Sequence, residues 1–324
     1  MRLATPFGEG RKPVINTTAV VFTSPGHLAL QSLPLVQPDG PHAIVDVNFS
    51  GISTGTERLL WTGDMPAFPG MGYPLVPGYE TVARVATAPA NCGLSEGDLV
   101  YVPGANCYGA VRGLFGGAAS RIAIHPAKLT KIDENMGENG TLLALAATAH
   151  HAVALGRLPE LIIGHGVVGR LIARITMALG GTPTVWETNP QRQSGAAGYS
   201  VIDPATDTRK DYACIVDASG DTNILDLCMS HLAKRGEIIL AGFYSSPLHF
   251  IFPPAFMREA SIRIAAQWEP KDLQIALELF ANGKLSLDDL ITHRTTADNA
   301  ATAYETAFNN IECLKMVLDW RSFQ

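Results

Sequence analysis

The stretch LIIGHGVVGRLIARITMALG, residues 161–180, decides the fold. An apolar run at 161–163 passes at once into Gly164-His165-Gly166-Val167-Val168-Gly169, and apolar residues then recur at helical spacing over 168–179. A strand that turns through GxGxxG into a helix cradles a pyrophosphate. Gly164 makes the tight turn, Gly166 lets the backbone approach the phosphates, and Gly169 lets helix and strand pack closely. Val167 and Val168 open the helix, whose N-terminal N–H groups and positive dipole end suit an anion.

The signal strengthens on moving outward. Glu187 ends the next expected strand, 184–186, eighteen positions beyond Gly169. An acid at that spacing binds the adenosine ribose hydroxyls, which favours NAD because a carboxylate repels a 2′-phosphate. Arg192 is the counterweight, since its charge could neutralise such a phosphate, and Asn189 lies on the same turn. Further strands are expected at 161–163, 200–202, 213–216, 237–240 and 262–265, with helical segments such as 168–179 and 224–232 between some of them. Strands alternating with helices make a doubly wound parallel sheet, here over 140–283. Asp217 with Ser219, and Gly242 with Tyr244, fall at the carboxyl ends of strands, where such sheets bind ligands. Ordinary turn chemistry is the alternative for them.

Upstream, short β-type runs (TTAVVF, AIVDVNFSG, ETVARVATA, DLVYV, RIAIH) alternate with Pro/Gly-rich turns, the texture of a small irregular β domain over 1–139. Residues 1–16 read as a loose arm without the apolar stretch of a signal peptide. Downstream come a helix at 270–282, a short run at 290–294, a helix at 298–309 and an apolar segment at 314–320. The tail 284–324 is too short to fold alone and is expected to return to the β domain.

Composition sets the outer limits. The 324 residues suit about two domains of roughly 150 each. With 47% hydrophobic and 17% charged residues the chain can bury a core. A net charge of −6 and no basic block argue against nucleic acid as a partner. No apolar run reaches the ~18 residues of a membrane span. Five scattered cysteines without a CxxC pair fit a reducing cytoplasm better than a disulfide framework.

A β domain ahead of a dinucleotide fold, with a returning tail, resembles the medium-chain dehydrogenase/reductase superfamily from Thr17 onward. That resemblance implies an α/β architecture of a GroES-like β domain plus a Rossmann sheet. GISTGTE (51–57) and PGYE (77–80) stand where the superfamily usually reads G-I-C-x-x-D and G-H-E. Ser53 thus replaces a zinc cysteine, Tyr79 a zinc histidine, and Ala144 the third ligand; the four-cysteine structural lobe is missing too. No metal is therefore expected, with Glu57, Glu80 and His150 as the only improvised ligand set. Within the superfamily, the runs at 51–80, 111–121 (VRGLFGGAASR), 186–190 (WETNP), 252–260 (FPPAFMREA) and 313–320 (CLKMVLDW) resemble the alcohol dehydrogenases of bacteriochlorophyll synthesis. The narrower resemblance implies a tetrapyrrole alcohol as substrate and NAD as hydride acceptor.

Without zinc, alcohol oxidation needs a general base or donors that stabilise a developing alkoxide. Glu57 and His150 are the first candidates, followed by Tyr79, Glu80, Ser53 and Thr54; bracing, capping and core packing are the competing roles. His150 and His151 are adjacent on a helix, so at most one is expected to face the cleft. A flat apolar macrocycle with a propionate suits the apolar loop expected at 59–73, with Trp61, Phe68 and Tyr73, and a second at Phe115; a mini-core or dimer contact is the alternative. Arg58, Arg112 and Arg121 are propionate candidates. A homodimer through the edge strand near 262–265 is an expectation from fold analogy. Two other functions fit the same features: an NADPH-dependent quinone or alkene reductase, and a non-catalytic dinucleotide or pigment binder.

Overall fold

The computed structural model describes residues 15–324 apart from Leu155 and Ser245, so all but the last two residues of the expected arm lie outside the described residues. Six strands form a parallel sheet in the spatial order Ser200–Ile202, Thr184–Trp186, Leu161–Ile163, Tyr212–Asp217, Leu232–Leu240, Ser261–Ile264. The chain winds outward in both directions from Leu161–Ile163, leaving a switch point beside Tyr212–Asp217 where a doubly wound sheet opens for a ligand. The helix Val167–Ala178 covers one face, with Leu171, Ile172 and Ile175 fully buried. The helix Leu143–Ala154 is buried on nearly all sides, because one core cluster runs from Val82, Leu99 and Tyr101 through this helix to Ile162 and Val216.

A seven-stranded sheet follows the order His293–Thr296, Met316–Asp319, Ala43–Ile52, Thr81–Thr87, Leu99–Val102, Thr130–Lys131, with Arg121–Ile124 also paired to Ala43–Ile52. The last forty residues therefore add two strands to a sheet begun near residue 43: Met316 pairs with Ile52 and Asp319 with Phe49. Trp320 is wholly buried and donates its indole N–H to Ser50 Oγ at 2.8 Å. A four-stranded sheet, His27–Pro34, Asn16–Ser24, Leu75–Val76, Arg112–Gly113, completes this half.

Several local expectations change. Part of the expected apolar loop is a helix, Thr56–Thr62, closed by Gly63 in the left-handed region at φ 83°. Its Leu60 is buried, and Trp61 meets Phe22 edge-to-face at 5.3 Å. Met65, Met71 and Tyr73 pack partly buried against the same core, while residues 62–64 and 66–70 between them stay exposed. The strand expected at 237–240 begins already at Leu232, and the run at 290–294 becomes a strand only at His293–Thr296, after buried Leu290 and Ile291.

Candidate active site

The glycine turn is shaped by backbone alone. Gly164 holds φ 96°, a region that L side chains rarely adopt, and a Cβ there would lie 3.2 Å from Ser219 Cα. A Cβ on Gly169 would collide with the Gly164 carbonyl oxygen. Gly166 caps the helix Val167–Ala178 without a side-chain bond, leaving the first N–H groups for a ligand. Glu187 accepts from His165 N–H through Oε2 at 3.1 Å and from Asn189 N–H through Oε1 at 2.8 Å. Asn189 in turn caps a short 3-10 helix, Pro190–Arg192. Arg192 donates from Nε to the Ile311 carbonyl at 3.2 Å.

Across the switch point, Asp217 ends its strand fully buried. Its carboxylate accepts from Ser219 Oγ at 2.6 Å, from Ser219 N–H at 3.1 Å and from the Tyr244 hydroxyl. Burial pushes the Asp217 pKa up despite those bonds. Gly242 is tight as well, since a Cβ there would come within 3.0 Å of Gly220 N. These residues line the carboxyl ends of adjacent strands, and the donor set fits a dinucleotide.

The facing wall is made of side chains. Ser53 Oγ and Tyr79 Oη are 2.8 Å apart, and Tyr79 is half-buried with its ring edge-to-face to exposed Phe115 at 5.7 Å. Burial, and then the nearby Glu80 charge, push the Tyr79 pKa above its ordinary value, so the phenol keeps its proton. Behind them Glu57 is buried, accepting from Ser53 N–H at 3.0 Å and from the Tyr304 hydroxyl at 2.6 Å. Desolvation pushes its pKa up to about 7 against those two bonds. Glu80, also buried, receives Lys315 Nζ at 2.5 Å, and the same ammonium reaches the Ile52 carbonyl at 3.1 Å. Glu80 Oε1 is buried and has no hydrogen-bond partner among the described residues. Thr54 is exposed at the rim.

The structure thus brings Ser53, Tyr79, Glu57 and Glu80 together but not His150. Its Nδ1 lies 2.8 Å from Asp272 Oδ1, while His151 Nδ1 lies 2.9 Å from Oδ2 of the same carboxylate. The two histidines straddle a single buried Asp. Arg121 forms an ion pair with Asp46 at 2.5 Å, whereas Arg58 and Arg112 are exposed and Arg112 donates to the Tyr73 carbonyl at 3.2 Å. Tyr73 gives its hydroxyl to the Leu60 carbonyl, and Phe68 is exposed.

No family model matches the chain. A 2-desacetyl-2-hydroxyethyl bacteriochlorophyllide A dehydrogenase of Cereibacter sphaeroides is 52% identical over 316 residues, covering 95% of this chain and 99% of that protein. The protein of the same name from Rhodobacter capsulatus is 51% identical over 311 residues, with the same coverage. The chain belongs to this dehydrogenase family. Among solved structures, L-idonate 5-dehydrogenase of Escherichia coli K-12 superposes with TM-score 0.82 at 18% identity, covering 94% of this chain and 98% of that one. A short chain alcohol dehydrogenase of Escherichia coli CFT073, complexed with NADH, gives 0.80 at 19% identity, covering 94% and 99%. These likenesses show the medium-chain dehydrogenase fold.

For a bacteriochlorophyllide dehydrogenase of that fold, zinc is the metal to test against the donor set. Ser53 and Tyr79 are hydroxyls bonded to each other, and Ala144 offers a methyl group. Zinc sites use thiolate, imidazole or carboxylate, so this set does not fit. The improvised set does not assemble either, because Glu57, Glu80 and His150 each bond a different partner, Tyr304, Lys315 and Asp272. Those three partners escaped sequence reasoning, as did His165 and Arg170. Only Lys315 carried a signal, as the one charge in an otherwise apolar segment, 314–318.

Proposed function

We propose that the chain oxidises the 1-hydroxyethyl side chain of a bacteriochlorophyllide to acetyl, passing hydride to NAD without zinc. The observation that carries this reading is the 52% identity to a 2-desacetyl-2-hydroxyethyl bacteriochlorophyllide A dehydrogenase over nearly the whole chain. NAD is supported by Glu187, whose oxygens are ordered at the ribose position by two backbone N–H groups. When bound, the nicotinamide accepts a hydride; everything else falls to protein side chains. Neutral Tyr79 donates to the carbinol oxygen and stabilises negative charge as it develops there. Ser53 Oγ, 2.8 Å from Tyr79 Oη, holds the phenol in that donating orientation, and as the hydride leaves for the nicotinamide the carbinol proton passes to solvent water at the exposed rim beside Thr54. Glu57 acts through Ser53, fixing the backbone of that turn. His150 is a positioning residue held by Asp272. A carbonyl conjugated with the macrocycle is an easier product than an isolated ketone, which lightens the task left by a missing metal.

Exposed Phe115, braced by Tyr79, and exposed Phe68 offer apolar surface to the macrocycle, and Arg112 and Arg58, which form no ion pair among the described residues, are the cations for a propionate. Trp61, Tyr73 and Arg121 serve the fold in this reading. Among the described residues no helix is long and apolar enough to cross a membrane, and we place the protein in the cytoplasm. The edge strand Ser261–Ile264 exposes Ile262 and Ile264, and the neighbouring helix Phe252–Arg258 exposes Phe252, Phe256 and Met257. An apolar sheet edge of this kind suits a second copy of the chain.

The deciding experiment incubates the protein with NAD and the hydroxyethyl pigment. A red-shifted absorption from the new acetyl group is expected, and it should survive exhaustive chelation. No conversion with NAD, together with quinone reduction by NADPH, would overturn the reading. Tyr79→Phe should lower kcat about 10²- to 10³-fold, the range for removing a donor to a developing oxyanion.

A further inference from the structure

We propose that His165 and Arg170, buried beneath the glycine turn, set cofactor preference by holding Arg192 off the adenosine ribose; this rests on the NAD reading above. His165 occupies the first variable position of GxGxxG and is wholly buried. All four of its polar groups are engaged. Its N–H donates to Glu187, its carbonyl accepts from Arg170 Nε at 3.0 Å, Nδ1 lies 2.6 Å from the Arg192 carbonyl, and Nε2 lies 2.8 Å from Tyr199 Oη. A carbonyl only accepts, so Nδ1 carries the proton and Nε2 receives the Tyr199 hydroxyl. Burial, aided by the Arg170 charge, pushes the ring pKa down to about 4, so this tautomer is neutral at working pH.

Arg170 completes the clamp. Besides His165 it donates to the carbonyls of Gly195 at 2.9 Å, Ser194 at 2.8 Å and Arg192 at 3.3 Å. Gly195 has to be bare for this, because a Cβ there would run into the guanidinium. The Arg192 carbonyl is thus held by two donors, which fixes where its side chain starts. That side chain ends on the Ile311 carbonyl, on the returning segment. An arginine just beyond the ribose acid is the residue that accommodates a 2′-phosphate in NADP-binding folds. Here its Nε is tied to a carbonyl on the returning segment, and among the described residues Glu187 forms no ion pair.

The test measures dissociation constants of NADH and NADPH by nicotinamide fluorescence. It uses the wild type, His165→Leu, Arg170→Met and the milder Tyr199→Phe, each with and without Arg192→Ala. The wild type should favour NADH. His165→Leu and Arg170→Met should narrow that preference about tenfold, as gaining one charge-assisted contact predicts, chiefly by tightening NADPH. Tyr199→Phe should move the ratio the same way by less, and adding Arg192→Ala should restore it in every background. An unchanged ratio, or both constants weakening together, would show that the cluster only braces the loop and would overturn the proposal. A wild type that favours NADPH would overturn the NAD reading itself.

Discussion

On the cofactor side of the cleft, Gly164 sits at φ 96° and Gly169 faces a carbonyl that no Cβ could approach, so the pocket exists wherever the backbone takes that path. On the facing side, Glu57 depends on a tyrosine 247 residues away and Glu80 on a lysine 235 residues away. One wall is local and made of shape; the other is a product of tertiary docking and made of charge. The cofactor wall is therefore sensitive to added atoms, and the substrate wall to removed partners and to pH.

The sharpest way to break that contrast is at Lys315. Lys315→Met should destabilise the protein by about 3–5 kcal/mol, the cost of stripping the partner from a buried charge. Glu80 Oε1 has no hydrogen-bond partner among the described residues, so losing Lys315 strips the carboxylate of its one side-chain donor there. Burial raises the Glu80 pKa, so acidification should shrink the loss as the carboxyl protonates. Urea midpoints of Lys315→Met and of the double variant with Glu80→Gln would show it. The double variant should recover most of the stability, and failure to do so would mean the lysine matters for packing rather than charge.

Glu57 should give the next largest effect, visible as a slope. Its pKa is 4.5 ordinarily and about 7 in the fold. Between those values folding takes up a proton, so stability is greatest at the acid end. It falls as pH rises and levels off once Glu57 ionises in the folded state. At 1.36 kcal/mol per unit the fall amounts to about 3 kcal/mol. Glu57→Gln should abolish that component between about pH 5 and pH 8, measured as the difference between the two urea midpoints. Equal slopes in both proteins would place a protonated Glu57 out of the picture.

How much of this was readable beforehand follows the same division. The strands Leu161–Ile163, Thr184–Trp186 and Ser200–Ile202 coincide with the sequence expectation, because buried parallel strands are short apolar runs bounded by turn residues. The glycine spacing and Glu187 are local signals of the same kind. The helix Thr56–Thr62 escaped because it is short and flanked by Gly and Pro, and the contacts that hold it, such as Trp61 against Phe22 and Phe308, are tertiary. Tyr304, Lys315 and Asp272 carried little or nothing local to announce them. Their roles exist only once strand Met316–Asp319 pairs with Ala43–Ile52, or helix Pro270–Ala281 meets Leu143–Ala154.

Gly169→Ala tests the cofactor wall from the opposite direction. The added methyl meets backbone rather than a side chain that can swing aside, so helix and turn must separate. Overpacking of this sort costs about 1–3 kcal/mol. The expected result is that loss in the urea midpoint together with weakened NADH binding, while the pH slope assigned to Glu57 stays in place. If NADH binding were unaffected, the turn would not be the pyrophosphate cradle.

The smallest effects separate two neighbouring hydroxyls. Ser53 is buried and bonded to Tyr79, whereas Thr54 is exposed and makes no side-chain hydrogen bond among the described residues. Ser53→Ala deletes one hydrogen bond worth about 1 kcal/mol, so kcat should fall roughly fivefold if that bond aims the phenol at the carbinol oxygen. Thr54→Ala should stay within about 0.5 kcal/mol in stability, as surface substitutions do. The informative quantity is the pair with Tyr79→Phe. If Ser53 acts only through Tyr79, the double variant should be no slower than Tyr79→Phe alone, a coupling that independent sites would not show. Additive losses would instead make Ser53 a separate contact to the substrate, and the wall would then work as two donors rather than one oriented pair.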